Sequence, residues 1–291
     1  MAGVIRKMKT HVGTAGWSYE DWKGIVYPDP RPKGFDPLTF LAQYFDGIEI
    51  NNTFYRPPEA KWAHDWLKRT AHNSDFKFTL KLYQGFTHEN VGKLNPADVD
   101  IFKRGIEPLA HAGKLGCVLI QFPWSFQNTP QNREWLLMLK KAFADYPLVV
   151  EVRHNSWDIQ SAYDFLAQNH LNFCNIDQPV SHTSIAPSDT VTGEVGYVRL
   201  HGRNYQAWFK SDAGRDDRYD YLYSAEEIDE WIGRIKNIEN CSKLVFVIAN
   251  NHFRGQGVAN AFQMKWKLTG KKQDVPRTLL EKYPFLKELA R

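Results

Sequence analysis

Seven ionisable residues sit at or near the ends of short β-rich runs, and their types suit proton transfer beside a bound anion. Three are carboxylates (Glu49, Glu151, Asp177), three are cations (Lys81, Arg153, Arg199) and one is an imidazole (His201). A carboxylate or imidazole moves a proton while lysine and arginine steady a developing negative charge, the division of labour in acid–base and hydrolytic catalysis. Lys81 is also a possible Schiff-base nucleophile, although an inward lysine beside carboxylates more often serves as a charged binder. Glu151, Asp177, His201 and His252 are acceptable ligand types for a divalent ion, which keeps a metal-dependent phosphodiesterase or endonuclease-like hydrolase open as an alternative. Lys81, Arg153 and Arg199 would surround such an ion with positive charge, so the sequence predicts a site with no resident metal and no organic cofactor.

Around these groups lie residues suited to holding a ligand. In the run Asn250-Asn-His-Phe-Arg-Gly-Gln-Gly257, the amides of Asn250 and Asn251 followed by His252 offer donors and acceptors to a polyhydroxylated or nucleobase ligand. Two glycines ahead of a helix let backbone N–H groups approach an anion, a weak signal without P-loop spacing. Glu49, Asn51 and Gln121 add polar groups at other run ends. Trp17 and Trp124, next to strand tips, are candidates for stacking a sugar or base, while most of the remaining aromatics are expected to pack loops.

The elements that must position these residues are eight β-rich runs: His11 to Ser18, Gly47 to Phe54, Lys77 to Tyr83, Cys117 to Pro123, Leu148 to His154, Asn172 to Asp177, Val195 to Gly202 and Lys243 to His252. Helical stretches alternate with them at Pro37 to Phe45, Glu59 to Thr70, Pro96 to Ala112, Gln131 to Asp145, Trp157 to Asn169, Ala225 to Ile238 and Ala259 to Leu268. The gap after the sixth run, Gln178 to Glu194, is rich in Pro, Ser and Thr, and an extended loop or a single turn is expected there. This alternation is that of an α/β fold, a single-domain TIM-like (β/α)8 barrel with the helix after strand six replaced or shortened; such barrels carry their chemistry at the carboxyl ends of the strands. Long aromatic loops at Ser18 to Asp36 and Arg203 to Ser224 should overhang that face.

Side chains alternate across a strand, and helix-facing positions should be apolar, so Glu151 and Arg153 are expected inside the barrel. The same reasoning places Glu49, Asn51, Thr53, Lys81, Gln121, Asn175, Asp177, Tyr197, Arg199, His201 and Asn251 inward. Glu49, Glu151 and Asp177 are then balanced by Lys81, Arg153 and Arg199, and a structural ion-pair plug is the alternative to a functional site.

With 291 residues and 43% hydrophobic content, one barrel domain spanning 1–291 suffices, its core about 11–270 and its helical tail 271–291, with Leu279, Leu280, Tyr283, Phe285 and Leu286 available to pack on the barrel wall. The formal charge of +4 falls short of a dedicated nucleic-acid binder, yet a non-catalytic nucleic-acid-binding protein remains the rival, with Arg203 and the loop Lys210 to Arg218 holding phosphate. Three scattered cysteines (Cys117, Cys174, Cys241), no apolar h-region in Met1 to His11 and no run of about 18 apolar residues point to a cytoplasmic protein with no membrane partner.

Taken in order, several motifs resemble the YecE-like family, whose domain is of unknown function. They are Gly13-Thr-Ala-Gly-Trp-Ser-Tyr19 with Trp22, Glu49-Ile-Asn-Asn-Thr-Phe-Tyr55 with Pro57, Phe76-Lys-Phe-Thr-Leu-Lys81 with Thr87-His88, and Leu119-Ile-Gln-Phe-Pro123. Val150-Glu-Val-Arg-His-Asn-Ser-Trp157, Asp177-Gln-Pro179, Tyr197-Val-Arg-Leu-His-Gly-Arg203 and Asn250-Asn-His252 complete the set, from about residue 11 to residue 270. The resemblance implies a TIM-like barrel and no particular reaction. Ile248-Ala249 departs from the aromatic residues common there, a change expected to alter packing more than chemistry. The combined expectation is acid–base or hydrolytic chemistry by Glu151, Lys81, Arg153, Asp177, Arg199 and His201 on a small ligand that is anionic or sugar-like, a nucleotide included.

Overall fold

A computed structural model describes residues 9–210 and 212–291; Met1 to Met8 of the N-terminal segment read above, and Ser211 of the Lys210 to Arg218 loop, lie outside the described residues. Eight strands, β1 (Lys9–Ala15), β2 (Gly47–Ile50), β3 (Lys77–Lys81), β4 (Leu115–Gln121), β5 (Leu148–Glu151), β6 (Asn172–Asp177), β7 (Val195–Leu200) and β8 (Leu244–Ala249), pair in parallel in chain order, and β8 closes on β1. Runs such as Leu-Val-Val-Glu in β5 and Leu-Val-Phe-Val-Ile-Ala in β8 form central strands because β-branched and aromatic residues suit a pleated surface covered on both faces.

Four of the crossover helices begin where short polar side chains satisfy their free N–H groups. Asp36 caps Pro37–Leu41 by accepting from Thr39 N (2.6 Å), Asn95 caps Pro96–His111, Thr129 caps Pro130–Ala142, and Ser224 forms a capping box with Glu227 at the start of Ala225–Cys241. Helices Ala60–Arg69, Gln160–Gln168 and Gln256–Thr269 complete the ring. Residues 178–194 contain no helix, as the composition implied. In the tail, Leu279 and Leu286 are buried, whereas Phe285, expected to pack, is 39% exposed.

The registers decide which side chains enter the barrel, because partners at one level of a parallel sheet point the same way. Tyr197 and Arg199 on β7 are level with Cys174 and Ile176 on β6, so Asn175 and Asp177 face outward, against expectation. Asn175 ties down the helix-free segment: it donates to Thr190 O (2.9 Å) and accepts from Ser188 Oγ (2.7 Å) and Thr190 N (2.9 Å). Asp177 accepts from Arg203 Nε (3.0 Å) and from Trp231 Nε1 (2.5 Å) on helix Ala225–Cys241. Polar groups on the outer layer thus satisfy both side chains where an apolar helix face was assumed. On β8 the inward residue is Asn250; Asn251, also expected inside, donates to Tyr221 O (2.8 Å) and to Asn260 Oδ1 (2.9 Å) on helix Gln256–Thr269. Strand two ends at Ile50, earlier than expected, and Thr53 lies in the short helix Asn52–Tyr55 with its hydroxyl bonded to Lys81 O (2.7 Å).

At the amino-terminal end of the barrel, Phe246 stacks on His11 (centroids 5.2 Å apart) and packs against Tyr197 (5.9 Å), and glycines make room for this bulk. Gly13 and Gly47 are register partners, and a Cβ on Gly13 would lie 1.8 Å from Gly47 O. Gly13→Ala is therefore expected to push β1 from β2 and cost at least about 1–3 kcal/mol in urea unfolding. Gly233→Ala, at an exposed helical position with open space around its Cβ, is expected to stabilise by about 0.5–1 kcal/mol in the same assay.

Candidate active site

Arg199 crosses the upper barrel, fully buried between two fully buried carboxylates. Its Nε and Nη2 form a fork on Glu49 of β2 (2.9 and 2.7 Å), and its Nη1 donates to Glu151 of β5 (2.5 Å). Glu49 also accepts from Tyr197 OH (2.9 Å), so the Thr79 hydroxyl, 2.7 Å from that oxygen, must be the donor to Tyr197. With three donors, Glu49, expected as a ligand-facing group, is taken up inside the network and is not among the residues that line the cavity above it. Burial alone would push the Glu151 carboxyl up; Arg199 and Arg153 outweigh it and hold Glu151 well below the usual carboxylate range. Arg153 reaches it through Nη2 (2.8 Å) and leans on the Trp208 ring (5.8 Å).

His201 is buried beside this chain of charges. Its Nδ1 lies 2.8 Å from Asn250 Nδ2, which can only donate, so Nδ1 is the acceptor and the ring proton sits on Nε2, 3.5 Å from Glu151 Oε1. Burial pushes its pKa down to about 3 despite Glu151, and the imidazole is neutral at ordinary pH. His201 thus orients Glu151 and Asn250 from behind.

Above the network opens a cavity of about 370 Å³ at the carboxyl ends of the strands. Lys81, Gln121, Asn250 and His252 line it together with Asn51 and the loop residues Tyr19, His88 and Tyr219. The His252 ring stacks on Tyr19 (4.5 Å, 12°) and meets Tyr219 (5.0 Å), which locks three loops over the opening. Asn51 Oδ1 is buried and, among the described residues, has no hydrogen-bond partner. Lys81 Nζ has the Phe54 ring 5.5 Å away and, among the described residues, no paired carboxylate. Burial first, and the nearby Arg199 charge second, push its pKa down to about 8, so it is mostly protonated at neutral pH. With Asp177 outside and paired to Arg203, two interior carboxylates (Glu49, Glu151) face three cations (Lys81, Arg153, Arg199), and the balance read from sequence becomes a surplus of one positive charge.

Other expected site residues are dispersed. Trp17 lines a neighbouring cleft, and Trp124, 46% exposed, is tied to the helix-free segment through Thr183 O (3.3 Å). Arg203 spends its guanidinium on Asp177, Glu227 and Glu230. Among the described residues no group of His, Cys, Asp and Glu is placed to hold a metal ion: Asp177 faces outward and guanidinium groups occupy Glu151.

A family model described as "Protein of unknown function DUF72" matches residues 11–284. The chain belongs to the DUF72 family. The YecE-like resemblance and the barrel agree with this assignment. The UPF0759 protein YunF of Bacillus subtilis (strain 168) is 31% identical over 268 residues, 87% of this chain and 93% of that protein. A DUF72 structure from Thermotoga maritima MSB8 aligns with a TM-score of 0.78 at 36% identity, covering 89% of this chain and 98% of that one. Another, from Enterococcus faecalis V583, aligns at 0.80 with 25% identity over 91% and 97% of the two chains.

In this DUF72 barrel, sequence reasoning missed Tyr19, His88 and Tyr219 as cavity residues. They belong to loops, where no period marks an inward face; Tyr19 and His88 stood inside the recognised motifs, and for Tyr219 the signal was its place in the aromatic loop Arg203 to Ser224 expected over that face. Among the described residues, no helix is long and apolar enough to cross a membrane.

Arg199→Met leaves Glu49 and Glu151 buried without their shared counter-charge and is expected to cost about 3–5 kcal/mol, read as a lowered melting temperature. Acid should act at the same place. The unfolded chain protonates His201 near pH 6.5, but the folded one only near 3, so stability falls as pH drops between these values; the lowered Glu151 carboxyl adds a loss in the same direction below about pH 4.5. Urea midpoints at pH 7 and 5 check this, and His201→Asn should flatten the slope.

Proposed function

We propose that the chain binds a small anionic, hydroxylated molecule in the barrel mouth and acts on it by acid–base or hydrolytic chemistry. The observation that carries this reading is the Lys81 ammonium, a cation without a carboxylate partner among the described residues, at a mouth whose charges sum to a positive surplus. An anionic group on the ligand would complete the balance, and charge-assisted hydrogen bonds are the strong ones. Asn51, Gln121 and Asn250 supply amides for hydroxyl groups around that anchor.

Roles divide by exposure. Arg199, Glu49, Glu151 and His201 form the buried floor that fixes the electrostatic field, and Arg153 extends it toward the mouth. The proton-moving group best placed toward the ligand is His88: its Nδ1 is engaged by the Thr87 hydroxyl (2.8 Å), and burial together with Arg153 and Lys81 lowers its pKa, which favours the neutral, proton-accepting form. The nucleic-acid reading loses support because Arg203 is committed to carboxylates. Three unpaired cysteines, two of them buried, suit the reducing cytoplasm.

Titration calorimetry with ribose 5-phosphate and inorganic phosphate tests the anchor. Lys81→Met is expected to weaken binding about tenfold or more with the melting temperature unchanged or slightly raised, since a buried charge is removed. Wild-type affinity should fall as pH rises through about 8, where Lys81 loses its proton. Binding that is indifferent to both changes overturns the reading.

A further inference from the structure

The mouth cavity shares a wall with a second opening. Tyr19, Asn51 and Tyr55 line both it and a cleft of about 490 Å³ on the outer side of the β1 and β2 loops. Trp17 meets the edge of Trp66 there (6.3 Å, 80°), and Trp62 carries the Arg56 guanidinium 4.3 Å from its ring centroid. Trp66 is 3% exposed and belongs to the core, but Trp17 and Trp62 are only half-buried and Tyr55 is 63% exposed. These three rings are therefore not fully used by folding.

The charges in the cleft are equally unequal. Arg69 is held by Asp36 (2.6 Å) and Asp65 (3.1 Å), whereas Arg56, among the described residues, has its guanidinium on an indole and no carboxylate partner. A guanidinium lying on an indole makes a flat cationic platform that attracts electron-rich planar rings. The shared wall adds the buried Asn51 Oδ1, unpartnered among the described residues, an acceptor suited to an amino or imino edge. Both openings lie in the size range of small-molecule sites.

We infer that the Trp17–Trp62 cleft is a base subsite, and that the ligand is of the nucleoside monophosphate class, its ring against Trp62 and Arg56 and its phosphate at Lys81. A neutral sugar would gain little from an unpaired guanidinium, and a bare anion would gain nothing from three open rings. The inference rests on the Lys81 anion reading for its phosphate end, but the ring end is independently observable.

The test is calorimetry on the full chain with ribose 5-phosphate, adenosine 5′-monophosphate, uridine 5′-monophosphate, adenosine and a neutral disaccharide. A nucleotide should bind about tenfold tighter than ribose 5-phosphate, the gain that stacking one base supplies. Trp62→Ala and Arg56→Ala should each erase most of that advantage and leave ribose 5-phosphate affinity unchanged, Trp62→Phe should retain it, and Lys81→Met should weaken all three phosphates alike. Melting temperatures of the variants exclude misfolding as the cause. Nucleotides that bind no tighter than ribose 5-phosphate, an advantage that survives both cleft substitutions, or tighter binding of the disaccharide overturn the base subsite. If phosphates do not bind or ignore Lys81→Met, the anion reading fails separately; adenosine binding that is lost in Trp62→Ala would still uphold the cleft as a base site, and its absence would sink both.

Discussion

The clamp of Arg199 between Glu49 and Glu151 is the constraint from which the upper half of this barrel follows. It joins β2, β5 and β7 through side chains whose residues are 150 and 48 positions apart in sequence. Two buried carboxylates so close together require a shared cation, and a buried guanidinium with a rigid fork supplies it in one fixed geometry. Once that geometry is set, Tyr197 and Thr79 seal it from below, Arg153 from the mouth and His201 from the side. Apolar residues of similar volume would fill the same space at lower desolvation cost. The network holds charge in one fixed place beneath a cavity.

The electrostatic character of that cavity depends on a partner exchange outside the barrel. Asp177, Arg203, Trp231 and Glu227 form their own satisfied cluster between β6 and helix Ala225–Cys241. Because Asp177 is used there, no interior carboxylate among the described residues is left for Lys81. A polar cluster that looks like part of the site thus makes the site cationic by its absence from it. The loops complete the arrangement: His252 after β8 stacks on Tyr19 after β1 and meets Tyr219 after β7 at a tilt, so ring packing rather than backbone pairing shapes the rim.

The proposed ligand geometry ties these observations together. Lys81 and the cavity amides form one end, and the Trp17–Trp62 cleft forms the other, with Asn51 at their common wall. A ligand spanning both would meet a rigid scaffold on the barrel side and adaptable loop aromatics on the other, a distribution that favours preorganised charge recognition with some latitude for the ring.

The residues themselves determined a great deal. Alternation of apolar runs with helical stretches is a local property, so the eight strands, the helix starts near Pro37, Pro96, Gln131 and Ala225, and the helix-free stretch after strand six were all legible. On β5 and β7, mixed polar and apolar residues revealed the inward phase, and Glu151, Arg199 and His201 were placed inside from alternation alone. On β6 the same rule inverted the strand, because it assumed an apolar outer layer and could not see Arg203 and Trp231 waiting there. On β8 the run Leu244–Ala249 is apolar on both faces, so it has no phase, and only its register with β7 separates inward Asn250 from outward Asn251. Which carboxylate meets which cation, and which cation is left over, depends on distances between residues far apart in the chain. Only closure of the barrel decides those distances, and with them the cationic mouth.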